Sequence, residues 1–205
     1  NFSAGTVLRF GGFDLTVDGY LIKLRDQIAL SENIPVTTLP NISAARFFIN
    51  GLRSTTKGID VVAHYKLPTT GAGTFDFTLA GNFNDVELTT RPAAALFGRN
   101  RVLTLEEGTP REKVSGGIDW SQGPLGATVR ATYYGDVTQP GTTAAGDIHT
   151  GKHTITDLEL RYRAQKGPEI ALGVNNLFDV YPDRVAASLN GPSGVLGFPY
   201  YSPFG

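Results

Sequence analysis

Apolar and polar residues alternate with a period of two along most of the chain. In residues 125–136, Leu125, Val129 and Tyr133 alternate with Thr128 and Arg130. Successive side chains of a β-strand point to opposite faces, so this pattern predicts strands with one apolar and one polar face. Eight such strands are predicted, at residues 2–10, 13–24, 52–67, 74–88, 111–120, 125–136, 153–163 and 168–177.

The connections between these strands alternate in length. Long segments, rich in Pro, Gly, Asn, Thr and Ala, cover residues 25–51, 89–110 and 137–152, and residues 178–205 trail after the last strand. Short turns at one end and long loops at the other are typical of a transmembrane β-barrel. The pattern therefore predicts an all-β, antiparallel, up-and-down barrel wall. The short connections are Gly11-Gly12, Pro68–Gly73, Ser121–Pro124 and Ala164–Gly167.

Charged residues mark the polar face of this predicted wall. In residues 153–163, Leu158 and Leu160 alternate with four charged side chains, and a face that carries so many charges must meet water. In a barrel that face lines the lumen, and the leucines meet lipid. The residues predicted to line the lumen are Arg130, Asp157, Glu159, Arg161 and Arg163.

A soluble β-sandwich also contains many short alternating strands, and it is the main alternative. The sandwich requires Leu158 and Leu160 to be enclosed between two sheets, whereas the barrel exposes them to lipid. Strands of about ten residues favour the barrel, because globular strands usually have about five or six. Aromatic residues near strand ends add weaker support for the barrel: Phe10, Phe13, Tyr65, Phe75, Trp120, Tyr133, Tyr134 and Tyr162.

Several classes of function lack support in the sequence. The net charge of −1 gives no basic surface for nucleic acid, and the absence of cysteine excludes thiol chemistry and disulfides. His149 and His153 have a helical metal-ligand spacing, but Gly151 and the strand that follows favour a loop. No serine elbow, phosphate loop or long apolar helix is present. We therefore expect no catalysis, no metal site and no cofactor.

A motif near the end of the chain gives a more specific expectation. Residues 173–182 read GVNNLFDVYP, and this run resembles the end of the penultimate barrel strand in TonB-dependent receptors. Residues 50–65, 104–120 and 197–205 are similar to other parts of the same family's barrel. Asn and Asp tolerate left-handed backbone, so we expect the motif to end a strand and begin a loop. Its residues are Asn175, Asn176, Leu177, Phe178, Asp179 and Tyr181.

The resemblance implies that residues 1–205 are the C-terminal portion of a receptor barrel in the outer membrane of a Gram-negative cell. A large plugged barrel has about 22 strands, so eight are expected here, with the last strand missing and the plug domain absent. Such a slice is expected neither to fold stably nor to function alone, because it has two open edges. A passive porin or autotransporter barrel remains an alternative, since it shares this kind of wall.

The resemblance also implies a ligand and partners. The ligand is expected to be a ferric siderophore or a similar metal chelate, and the partners are the plug domain, TonB and outer-membrane lipid. Arginine suits anionic chelates because it is always charged and offers several donors. The expected ligand-binding residues are three arginines of the 89–110 loop and two tyrosines of the last loop, namely Arg91, Arg99, Arg101, Tyr200 and Tyr201.

Overall fold

A computed structural model describes residues 1–38 and 41–185 of the chain. Its main feature is one antiparallel sheet of eight strands, in which each strand pairs with its neighbours in this sheet's chain order. The strands of this sheet are β1 (Phe2–Phe10), β2 (Phe13–Leu30), β5 (Phe48–Thr69), β6 (Gly73–Thr90), β7 (Glu112–Gln122), β8 (Leu125–Tyr134), β11 (His153–Arg163) and β12 (Glu169–Val174). Two short hairpins lie in the connections, formed by β3 (Ile34–Pro35) with β4 (Ala44–Ala45) and by β9 (Val137–Gln139) with β10 (Ile148–Thr150).

The pairing register keeps the apolar residues of all eight strands on one face. On β8, for example, Val129 pairs with Ile118 of β7 on one side and with Leu158 of β11 on the other. Leu158 in turn pairs with Val174 of β12. The sheet therefore has one continuous apolar face and one continuous polar face, as the alternation predicts.

The apolar face is not covered by a second layer. Leu160 is 53% exposed and Leu172 is 74% exposed, and the buried apolar residues of the described chain are Ile49, Leu52, Phe97 and Val137. A β-sandwich would bury its leucines under a facing sheet. The sandwich alternative is therefore wrong. No helix within residues 1–38 and 41–185 has the length and apolar character needed to cross a membrane.

Three strands extend beyond their predicted ends. β2 has 18 residues, β5 has 22 and β6 has 18, so much of the predicted loop 25–51 is strand. The alternation is interrupted there by bulges, and one lies between Leu24 and Gln27, where Asp26 has a φ of 54°. A bulge shifts the period by one residue, which hides the continuing strand from a search for strict alternation.

The long connection after β6 contains a helix, α1 (Arg99–Glu107), although we expected only loop in this part of the sequence. The helix has no buried residue of its own, which explains its weak periodicity in the sequence. It contacts β6 and β9. Just before α1, Phe97 is 2% exposed and packs against Ile49 and Leu52 of β5. This small core fastens the connection to the extended strands.

An aromatic row crosses the apolar face near the short turns. Ring centroids are 5.1 Å apart for Phe10 and Phe13, 6.5 Å for Phe13 and Tyr65, and 6.3 Å for Tyr65 and Phe77. Trp120, opposite Phe75, and Tyr162, opposite Leu125, lie on the same face. Tyr134 differs from the expectation, because it lies on the polar face beneath the ammonium of Lys113.

Candidate functional site

Charged side chains form a band on the polar face near the short turns. Arg9 pairs with Asp14 at 3.1 Å, and His64 lies 2.5 Å from Asp76. Farther along the sheet, Arg163 pairs with Glu169 at 2.7 Å. These side chains come from every strand of the sheet except β8, with Arg161 on β11 and Asp119 on β7 completing the series. Acids and bases alternate along the band, so most charges have an opposite neighbour.

Arg161 is at the centre of the largest charge cluster in this band. Its guanidinium donates to the carboxylate of Asp119 and, at 3.1 Å, to the hydroxyl of Thr128. Thr128 donates to the same carboxylate at 2.6 Å, and Glu159 lies 3.6 Å from the guanidinium. The Arg161 side chain is 31% exposed, so this network is only partly screened by water.

A second polar network lies closer to the long loops. The side-chain amide of Asn82 donates to Asp60 at 2.5 Å and to the Tyr20 hydroxyl at 3.3 Å, and Asn84 donates to Asn82 at 2.7 Å. The Tyr20 ring occupies the space beside Gly58, where an added Cβ would lie 2.2 Å from the ring. The missing side chain at position 58 therefore allows Tyr20 to lie flat across the strand.

All five residues predicted to line the lumen lie on this polar face. Arg130 is directly opposite Asp157, and Glu159 and Arg161 follow on the same strand. Arg163 is opposite Glu169 on β12. Tyr20, Asn82 and Asn84 were not predicted as site residues, because uncharged polar side chains give no signal of their bonding partners without the register.

The Asn-Asn-Leu-Phe-Asp motif forms a tight corner after β12. Asn176 and Asp179 have positive φ values of 51° and 54°. The Asn176 side chain both donates to and accepts from the backbone of Val180, each at 2.9 Å. Its backbone N–H donates to the Asp157 carboxylate at 2.9 Å, which ties the corner to the polar face of β11. Leu177 and Phe178 are exposed, at 41% and 69%.

The three predicted loop arginines have different surroundings. Arg99 makes a bidentate pair with Asp147, whose side chain is 7% exposed, and so joins α1 to the connection before β10. The Arg99 guanidinium, helped by the Gly141 N–H, holds the pKa of Asp147 below its ordinary value. Arg101 donates to the backbone oxygen of Ser31 at 3.2 Å. Arg91 is exposed and has no ion pair within the described residues. Tyr200 and Tyr201 lie outside the described residues.

A cavity of about 860 Å³ opens where the segment after α1 meets β5, β6 and the start of the β8–β11 connection. Tyr20, Gly58 and Asn84 form part of its wall. The rim carries two basic and four acidic side chains, namely Lys57, Arg111, Asp85, Glu107, Glu112 and Asp136. No three His, Asp or Glu residues of the described chain are close enough together to hold a metal ion. The site is thus a polar surface with a lined opening.

Comparison with protein families gives one match. A family model described as "TonB dependent receptor-like, beta-barrel" matches residues 1–177. No curated protein matches the sequence.

Solved structures give further matches. A mutant of the ferric enterobactin receptor PfeA from Pseudomonas aeruginosa, in complex with enterobactin, has a TM-score of 0.62 at 16% identity and covers 97% of this chain and 28% of its own. The pyoverdine outer-membrane receptor FpvA from Pseudomonas aeruginosa has a TM-score of 0.58 at 17% identity, covering 84% and 24%. The copper transporter OprC has a TM-score of 0.59 at 15% identity, covering 87% and 25%. At these identities the likeness concerns the fold, and the chain spans about a quarter of each structure.

Proposed function

We propose, because the chain belongs to the TonB-dependent receptor β-barrel family, that it forms part of the wall of a transporter that binds and imports a scarce metal chelate. Members of this family are outer-membrane proteins of Gram-negative bacteria. The proposed cargo is a ferric siderophore. In this proposal residues 1–205 are a C-terminal portion of the barrel, and the plug domain and the segment that meets TonB belong to the rest of the full-length protein.

The observation that carries the proposal is the two-faced sheet with an uncovered apolar side. On β5 the apolar face runs from Leu67 to Ile59, which is about 27 Å along a strand at roughly 3.4 Å per residue. At a strand tilt of about 40° this gives a band roughly 21 Å tall, close to the about 25 Å of outer-membrane barrels. Lys57 and Asp85 face each other immediately above the band. Charge therefore begins where the lipid interior is proposed to end.

The polar face is proposed to line the lumen and to contact the plug. Its charges are already arranged in opposite pairs, as in the cluster of Arg161, Asp119 and Glu159. A plug that packs against such a face meets fixed donors and acceptors and does not have to neutralise bare charge. We propose the same role for Arg130, Asp157 and Arg163. None of these residues is proposed to be catalytic.

The long connections are proposed to hold the ligand above the lumen. Arg91 is the best candidate of the three arginines, because its guanidinium is free to meet an anionic chelate. Arg99 and Arg101 already hold α1 in place, so we propose that they shape the loop. Tyr200 and Tyr201 stay predictions for the last loop.

Uptake by living cells tests this proposal. We expect iron-starved cells that produce the full-length protein to accumulate ⁵⁵Fe from one ferric siderophore of a panel, and to lose this uptake when TonB is deleted. Uptake of ⁶⁴Cu in the same cells tests the copper alternative suggested by OprC. Diffusion of small sugars without any TonB requirement would instead support the passive porin.

A matched pair of variants links uptake to the loop. Arg91→Gln should weaken siderophore binding by about tenfold, the cost of one charge-assisted contact. Arg46→Gln is the control, because Arg46 is also exposed and its guanidinium donates to Asn33 in the tip of another loop. Equal losses in both variants would contradict a specific role for Arg91. The amount of protein in the outer membrane should be the same for both.

A further inference from the structure

A group of basic side chains lies on the outer side of β2 and β5, directly above the apolar band. Lys57 is opposite Leu21, the last apolar residue of the band on β2, and Lys23 is opposite Thr55 one pair farther out. At the next position, Arg25 and Asp26 share a bulge opposite Arg53. By strand alternation Lys23, Arg25, Arg53 and Lys57 share the apolar side, and all four are exposed. We call these four residues the basic patch.

The charges of the basic patch are not balanced within the described chain. None of its four side chains is in an ion pair of the residues that the structure describes, whereas the polar face pairs most of its charges. Arg25 and Arg53 lie across from each other, and like charges in such positions repel. Three acids lie nearby: Asp26 in the bulge, Glu87 opposite Thr55, and Asp85, which is 3.7 Å from Arg111. Five basic side chains therefore stand against three acidic ones.

The height of the basic patch indicates what surrounds it. Lys57 is two residues beyond Ile59, or about 5 Å above the apolar band for a tilted strand. Headgroups occupy roughly the first 5 to 8 Å beyond the hydrocarbon on each side of a bilayer. The arginines lie farther out, and their long side chains can reach back toward this layer. Anionic headgroup phosphates at this depth would separate Arg25 from Arg53 and supply the missing negative charge.

We propose that the basic patch binds the phosphate groups of an anionic lipid in the leaflet at the long-loop end of the barrel. The inference rests on the proposed function, which places the apolar face in lipid. Arginine is suited to this task because its planar fork holds phosphate oxygens in pairs. The lipid then forms a fixed part of the outer surface, on the side opposite the cargo path.

Titration of the full-length receptor in detergent with purified lipid A, followed by native mass spectrometry, tests the proposal. Lipid A carries two phosphates, and we expect it to bind the protein in preference to zwitterionic phosphatidylethanolamine. The double variant Arg25→Gln/Arg53→Gln should bind lipid A about tenfold more weakly, and Arg25→Lys/Arg53→Lys should keep most of the affinity. Inorganic phosphate at the same phosphate concentration should not displace the lipid.

The control variant Arg46→Gln/Lys166→Gln removes two exposed positive charges far from the basic patch. An equal loss of lipid A binding in this control would overturn the proposal, as would equal binding of phosphatidylethanolamine or displacement by inorganic phosphate. Lipid contact at Leu160 separates this failure from failure of the proposed function. If Leu160 does not meet lipid, the membrane placement itself is wrong.

Discussion

At the scale of single residues, two positions depend on conformations that few side chains allow. Asn176 ends β12 in a left-handed conformation and holds Val180 through two hydrogen bonds. Gly58 leaves room for the Tyr20 ring on the polar face. Each therefore combines a backbone or steric requirement with a local network, and each can be tested by a substitution of one or two atoms.

Asn176→Ala should destabilise the full-length protein by about 1–3 kcal/mol, because alanine disfavours positive φ and removes both bonds to Val180. Asn176→Gly should cost less, since glycine accepts the backbone conformation. Asn175→Ala is the control, because Asn175 lies next in the chain and has no positive φ. Denaturant unfolding in detergent measures all three. A loss in Asn175→Ala as large as in Asn176→Ala would contradict this account.

Gly58→Ala should displace Tyr20 and break its contact with Asn82, at a cost of about 1–2 kcal/mol. The same change in Tyr20→Ala protein should cost less, because the ring has already gone. Gly19→Ala serves as the comparison, since its added Cβ would meet its nearest atom at 3.9 Å. Unfolding midpoints of the four proteins decide the matter, and additive effects would show that the ring and the glycine are independent.

At the scale of elements, strict alternation predicts the strands of the wall and misses what lies beyond it. The period of two is clear where one face meets lipid and the other meets water, as in β8 and β11. Above the membrane both faces of β2 and β5 meet water or loop, and bulges shift the period. Helix α1 gives no periodic signal because none of its residues is buried. Its position depends on Phe97 and on the pair of Arg99 with Asp147.

The site follows the same division. The alternation places Arg130, Asp157, Glu159, Arg161 and Arg163 on one face, because side-chain direction depends only on strand parity. The partners of these side chains depend on which strands are neighbours and on their register. The bond between Arg161 and Asp119 spans 42 positions in the sequence and could not be read from it. The loop contacts of Arg99 and Arg101 are equally distant.

Asp147→Asn should release α1 from the β9–β10 connection. Arg99 lowers the pKa of Asp147 relative to the unfolded chain, so this contribution is present above the ordinary pKa of 3.8 and is lost as pH falls below it. A spin label at Leu105 on α1 should therefore be more mobile in Asp147→Asn at pH 7. The unsubstituted protein should become equally mobile only in strong acid. Arg99→Gln should reproduce the variant, and the double variant should add little. Unchanged mobility in Asp147→Asn would contradict this role of the pair.

At the scale of the whole molecule, the sheet separates two environments across its thickness. The side chain direction alone decides whether a residue of β11 meets the apolar or the polar side, and neighbouring residues differ completely. The register carries this separation through all eight strands without a break in the wall region. Substitutions one residue apart are therefore expected to report different surroundings.

Leu160→Cys and Glu159→Cys, each carrying a spin label, test this separation in the reconstituted full-length protein. Residues 1–205 contain no cysteine, so each label is unique within this part of the protein. The label at position 160 should be relaxed by oxygen dissolved in lipid, and the label at position 159 by a water-soluble nickel complex. Leu172→Cys and Arg161→Cys repeat the comparison. Similar oxygen and nickel effects at both members of a pair would refute the lipid-facing assignment.

The nearest-neighbour pairing of the eight strands also bears on how such walls change in size. Each hairpin, such as β7 with β8, carries its own turn and its own two faces, and its register with the next hairpin keeps the same parity. Duplicating or deleting a whole hairpin would therefore leave every other residue on its original side. A single-strand change would reverse the chain direction of everything that follows. Gene duplication could thus widen or narrow the barrel in steps of two strands without redesigning the rest.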